Sequence, residues 1–114
     1  MTDPMQIDNL LQSWRELPFE RFRDGVEIHH LCKGEPALAI LRYAPGASVP
    51  RHLHQGMETI LVLDGEQCDE RGAYGVGDLV VNPEGTIHSV WSETGCAVLI
   101  QWTRPVRMLN EGPA

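Results

Sequence analysis

Pro45-Gly46-Ala47-Ser48-Val49-Pro50-Arg51-His52-Leu53-His54-Gln55-Gly56-Met57-Glu58 places two imidazoles and a carboxylate within seven residues, just after a Pro-Gly turn. Neutral imidazole nitrogen and carboxylate oxygen are common ligands of first-row divalent metals. Side chains alternate along an extended chain, so His52 and His54 share one face and Leu53 takes the other. Gln55-Gly56 permits a sharp bend, after which Glu58 opens a new segment and can turn back toward the same centre. A lone histidine pair is more often a surface feature, so the reading depends on what else reaches this point.

A second stretch supplies it. In Gly77-Asp78-Leu79-Val80-Val81-Asn82-Pro83-Glu84-Gly85-Thr86-Ile87-His88, a turn shaped by proline and glycine delivers one further histidine onto the extended segment from Thr86 to Trp91. Three imidazoles and one carboxylate suit Fe(II), Mn(II), Ni(II), Cu(II) or Zn(II). On a six-coordinate ion these four ligands leave two positions for water, substrate or dioxygen. A tetrahedral zinc held by all four has none left, as in a structural site. Paired carboxylates of the glycosidase kind find no supporting spacing between Glu58 and Glu84. Metallohydrolases on (β/α)₈ barrels need about 250 residues, and this chain has 114.

Working outward, the chain from Phe19 reads as short apolar segments cut by turn residues. The segments run from Val26 to Leu31, Ala37 to Tyr43, Met57 to Leu63, Glu66 to Glu70, Asp78 to Val81, Thr86 to Trp91 and Cys96 to Thr103. Asp64-Gly65 reads as a hairpin turn between Leu63 and Glu66. About eight or nine strands with turns every 8–12 residues or so predict a sandwich or small barrel. Ahead of them, Leu10, Leu11, Trp14 and Leu17 predict a short amphipathic helix capped by Asp8 or Asn9 and stopped by Pro18; an arm pairing with a neighbouring subunit is the alternative. The expected organisation is an N-terminal arm over residues 1–25, a barrel over 26–108 and a loose tail over 109–114.

Sixteen acidic against nine basic side chains give a formal charge of −7, which argues against nucleic acid, whose phosphates need a basic face. No apolar run approaches the ~20 residues of a bilayer span, and the start of the chain lacks signal-peptide character; a cytoplasmic protein is expected. Cys32, Cys68 and Cys96 are odd in number and widely spaced, so neither a disulfide framework nor a thiolate zinc site is expected, and Cys96 reads as a small core residue. His29 and His30 are adjacent and point to opposite faces, and they read as non-ligands.

The two stretches resemble the two signature motifs of the cupin superfamily. Gly46, five residues, His52-x-His54, three residues, Glu58, six residues and Gly65 match the first; Gly77, five residues, Pro83-x-Gly85, two residues and His88 match the second. The asparagine that usually closes the second motif is Ser92 here. Ala39 to His52, Glu58 to Gly65 and Trp91 to Cys96 resemble more closely the ChrR-type cupins, a group with the C-terminal domain of ChrR anti-sigma factors, free-standing small cupins and relatives of acetylacetone-cleaving dioxygenases. The resemblance implies an all-β, RmlC-like double-stranded β-helix, or jelly roll, holding one divalent ion (Fe, Zn, Mn or Ni) on His52, His54, Glu58 and His88.

It implies three functions. The first is a small-molecule-binding or sensing protein; the second is an Fe(II) dioxygenase cleaving a small diketone or related carbonyl compound; the third is a purely structural metal. Relatives with the dioxygenase activity bind iron through three histidines, so Glu58 sets this chain apart. Arg42, Tyr43, Gln101 and Trp102 are the candidates for substrate contact. The partners expected are a small-molecule ligand and a second copy of the chain, with no nucleic acid and no membrane. Sigma-factor binding is not expected: it belongs to a separate helical zinc domain in those relatives, and about two dozen residues lacking cysteine and histidine precede the first clear strand here.

Overall fold

The computed structural model describes residues 3–109. Two antiparallel sheets face one another. The larger joins β1 (Glu20–Arg23), β2 (Val26–Cys32), β3 (Ala37–Tyr43), β5 (Glu58–Gly65), β8 (Leu79–Asn82) and β10 (Cys96–Trp102) in the order β1-β2-β3-β10-β5-β8. The smaller joins β4 (Ser48–His54), β6 (Gln67–Asp69), β7 (Gly72–Tyr74), β9 (Ile87–Trp91) and β11 (Val106–Met108) in the order β11-β4-β9-β6-β7. This is the expected all-β jelly roll. Among the described residues no helix is long and apolar enough to cross a membrane.

Alternation builds the interior. Leu41 and Tyr43 of β3, Ile60 and Val62 of β5, and Val98 and Ile100 of β10 point inward and meet Val49 and Val90 of the opposing sheet. The outward residues Ile40, Leu63 and Ala97 form a second apolar cluster under Trp14. The N-terminal segment is a single helical turn, Leu10–Ser13, continued as a 3₁₀ turn, Trp14–Glu16. Asn9 precedes it in a left-handed conformation with no side-chain cap; its carbonyl instead accepts from Gln12 N and Ser13 N at 2.9 Å each. The segment packs on its own barrel through Trp14. The larger sheet begins at Glu20, because β1 pairs with β2, rather than at Val26 as the pattern suggested. Asn110 to Ala114, most of the expected tail, lie outside the described residues.

The Asp64-Gly65 hairpin is a correction. β5 and β6 lie in different sheets, so the chain turns a corner between sheets there instead of folding back on itself. Asp64 and Gly65 stay paired with Ala97 and Cys96, after a bulge that leaves Leu63 unpaired and turned toward Trp14. Gly65 is required by proximity as well as by its φ of 70°: a Cβ there would lie 2.1 Å from the Gly95 carbonyl oxygen.

A second bulge decides which residues enter the barrel. Between Val49 and His52, β4 advances three residues while β9 advances two, from Val90 to His88. The extra residue at Pro50-Arg51 shifts the alternation by one. Val49 faces inward before it, and His52 and His54 face inward after it. In an unbroken strand His52 would share the face opposite to Val49.

Trp14 is 5% exposed and closes the outer cluster. Trp14→Ala is expected to cost about 3–5 kcal/mol in urea unfolding. Metal content per folded chain should be unchanged, because none of the inward-facing residues touches this cluster.

Candidate metal centre

His52 of β4 and His88 of β9 are direct cross-strand partners, and His54 follows on the same face two residues on. The three rings pack edge to face with centroids 4.6–5.2 Å apart, and one ligand nitrogen from each lies within 4.8 Å of the others. All three side chains are buried, at 3%, 1% and 4% exposure.

Each ring has its orientation and tautomer fixed by an acceptor at Nδ1. His52 Nδ1 lies 2.8 Å from the Pro50 carbonyl, which can only accept, and that carbonyl belongs to the bulge itself. His88 Nδ1 lies 3.0 Å from Asp69 Oδ2. His54 Nδ1 lies 3.0 Å from Thr86 Oγ1, whose own proton goes to the Pro83 carbonyl at 2.6 Å. All three imidazoles therefore carry the proton on Nδ1 and present a bare Nε2 lone pair to the common centre. Nε2 of His54 and of His88 is buried with no hydrogen-bond partner. Leaving such an atom unsatisfied costs about 1–3 kcal/mol, and a divalent cation is the group that this donor set fits. Burial pushes His52 below the usual histidine range despite the Pro50 carbonyl, which keeps the ring neutral.

Glu58 comes from the other sheet. Its Oε1 lies 3.2 Å from His54 Nε2 and 3.8 Å from His88 Nε2. Its two neighbours across the larger sheet hold it: Trp102 Nε1 donates to Oε2 at 2.7 Å, and Asn82 Nδ2 donates to Oε1 at 3.1 Å. Arg71 Nη1 in turn donates to Asn82 Oδ1 at 3.3 Å, setting the amide's orientation. Burial opposes ionisation of the Glu58 carboxyl, and the Trp102 indole and Asn82 amide that donate to its two oxygens stabilise the charged form. Close approach fixes the bend before it, since a Cβ on Gly56 would lie 2.2 Å from Thr103 Oγ1.

A cavity of about 210 Å³ opens beside the histidines, its wall formed by aliphatic and aromatic side chains of both sheets together with Arg23, Glu58 and Gln67. Of the four candidates for substrate contact, Tyr43 and Trp102 line it, and Arg42 and Gln101 do not. Alternation is the reason: Arg42 and Gln101 are the outward neighbours of inward residues. Arg42 binds Glu27 Oε1 at 2.6 and 3.0 Å and lies over the Phe19 ring. His29 and His30 sit on β2, near the Pro18 carbonyl at 2.8 Å and Glu20 at 3.8 Å. Ser92, the departure from the motif, is fully buried; its hydroxyl donates to the Glu66 carbonyl at 2.6 Å and its backbone ties Ala47 and Gly46.

Asp69 and Thr86 were not singled out in the sequence. Asp69 accepts from Tyr74 Oη and Arg71 N at 2.8 Å each on Oδ1, leaving Oδ2 for His88. Burial raises its carboxyl, but the bonds from His88, Tyr74 and Arg71 hold it below the usual range; the Tyr74 phenol rises to about 12 through burial and Asp69. No local signal marks Asp69 in the sequence: the pairing of β6 with β9 sets it beside His88.

Fold and centre together define a cupin: a double-stranded β-helix with inward-facing histidines from both motifs. The chain belongs to the ChrR cupin-like domain family, which matches residues 8–106. It is 36% identical over 86 residues to the anti-sigma-E factor ChrR of Cereibacter sphaeroides, covering 73% of this chain and 40% of ChrR. Among solved structures, Rhodobacter sphaeroides ChrR in complex with SigE superposes with a TM-score of 0.74 at 28% identity, over 83% of this chain and 54% of that one. The chain thus spans about half or less of these relatives. An acetylacetone dioxygenase from Acinetobacter johnsonii shares the fold, with a TM-score of 0.78 at 13% identity over 97% of this chain and 80% of that one.

Replacing Asp69 by Asn should free His88 to take the other tautomer. We expect Asp69→Asn to weaken metal affinity about 10–100-fold in competition with a chromogenic chelator, with the urea midpoint recorded alongside to separate loss of fold from loss of metal.

Proposed function

We propose that this protein is a metal-binding module that holds one divalent ion on His52, His54 and His88, with Glu58 as the fourth protein ligand, and binds a small molecule in the adjoining cavity. The observation that carries this reading is the convergence of three buried rings, each with Nδ1 against a fixed acceptor and one ligand nitrogen from each within 4.8 Å of the others. Bound there, an ion would act as a Lewis acid toward an oxygen-bearing ligand. The protein's own part is to exclude water with the aliphatic wall and to orient the four ligands. Iron, zinc, manganese and nickel all suit the donor set.

Binding or sensing is the primary reading, because the family similarity is to a regulator. Oxygen-dependent cleavage of a small diketone or related carbonyl compound is the second, favoured by the aliphatic cavity beside the centre and by the shared fold. Protein purified without an affinity tag should carry close to one divalent ion per chain, and the double change His52→Ala, His54→Ala should abolish it; unchanged content by mass spectrometry would remove the site. Iron-loaded protein that consumes no dioxygen across a panel of β-diketones would leave the binding reading alone.

We also propose a homodimer formed through a sheet edge. The edge strand β8 exposes Leu79 and Val81, at 63% and 49%, an apolar and uncharged edge of the kind that pairs with another chain. Sedimentation at micromolar concentration should give twice the chain mass, and Leu79→Lys should return it to the monomer.

A further inference from the structure

Besides the histidines, Glu58 and Arg23, the cavity wall holds the polar side chains of Tyr43 and Gln67, which have no role in binding a metal. Tyr43 and Gln67 are 4% and 1% exposed, and they line the space together with Leu41, Val49, Ile60 and Val90. Gln67 Nε2 lies 3.5 Å from Tyr43 Oη, at the outer limit of a hydrogen bond. The phenol oxygen accepts in that long contact, and among the described residues no shorter bond ties the phenol proton or the Gln67 carbonyl. Buried polar side chains are nearly always partnered. A phenol and an amide left open toward an aliphatic space mark a place for a ligand atom.

The chemistry of that atom follows from the pair. Burial, with the charges of Cys96 and Glu58, drives the Tyr43 phenol far above its ordinary range, so it is a neutral donor. Beside this pair the wall is Leu41, Val49, Ile60 and Val90, apolar groups that cannot replace the hydration of an ion. At about 210 Å³ the space is smaller than the ≈300–1,000 Å³ of pockets for drug-sized ligands. Resting on the small-molecule reading above, we propose that Tyr43 and Gln67 form a second anchor, distinct from the metal ligands, for the hydrogen-bond-accepting oxygen of a compact, uncharged, largely apolar molecule. An anionic ligand is the alternative to be separated.

The test uses the full chain stripped of metal by a chelator, so that the anchor is measured apart from the metal centre, whose stoichiometry is determined on the untreated protein. The probes are cyclohexanone, methylenecyclohexane, which has the same shape without the oxygen, and cyclohexanecarboxylate, titrated by ligand-observed NMR. Cyclohexanone should bind about tenfold more tightly than methylenecyclohexane. Tyr43→Phe should remove most of that preference without altering the affinity of methylenecyclohexane, and Gln67→Met should reduce it; Gln67→Met carries the test if Tyr43→Phe does not fold. Equal binding of the first two probes, or a preference that survives in both variants, defeats the anchor while leaving the small-molecule reading in place. Tightest binding by the carboxylate overturns the assignment of an uncharged ligand. If no probe binds while metal stoichiometry stays near one, both the anchor and the small-molecule half of the reading fail, and the metal half stands.

Discussion

An imidazole can bind a metal only through the nitrogen that carries no proton, so a three-histidine centre depends first on where three protons sit. Here each proton has an acceptor from a different kind of structure: a bulge carbonyl for His52, a turn hydroxyl for His54 and a strand carboxylate for His88. None of these acceptors faces the common centre, so all three Nε2 atoms do. The other features of the barrel can be ordered by how directly they serve this arrangement.

The bulge at Pro50-Arg51 serves it twice. It shifts the alternation so that His52 and His54 enter the barrel, and it supplies the Pro50 carbonyl that orients His52. The turn after Asn82 also has two functions. Gly85 N and Thr86 O bond to the backbone of His54 at 2.8 and 2.9 Å, which joins the two motifs before any metal is present, and the Thr86 hydroxyl orients the His54 ring. Glu58 lies across the interior on the larger sheet, held by its two strand partners. The centre exists only where both sheets close on each other, so the outer cluster under Trp14 supports it through the barrel and not through contact.

Much of this was legible in the chain because it is local. His52-x-His54 share a face by the period of a strand, and turn residues at regular spacing announced a β barrel. The misreadings came from interactions that are not local. Asp64-Gly65 carries the chemistry of a hairpin turn, yet the close approach of Gly95 makes that glycine a corner between sheets. Arg42 and Gln101 were plausible as polar residues beside core positions, but alternation turns them outward, and Arg42 is held by Glu27 and Phe19. Asp69 was invisible as a functional residue because only the pairing of β6 with β9 sets it beside His88.

The four ligands are not equivalent, and the difference is physical. The buried Nε2 atoms of His54 and His88 have no partner, whereas both oxygens of Glu58 already accept hydrogen bonds from Trp102 and Asn82. Donors on a carboxylate draw charge away from its oxygens and weaken it as a ligand. An ion on three neutral imidazoles keeps its full double charge; each increment of Glu58 binding offsets part of it and lowers its Lewis acidity. Trp102 holds Glu58 Oε2, and the same indole lines the cavity and stacks on Phe22, with ring centroids 6.2 Å apart. One side chain thus joins the wall of the cavity to the carboxylate beside the histidines.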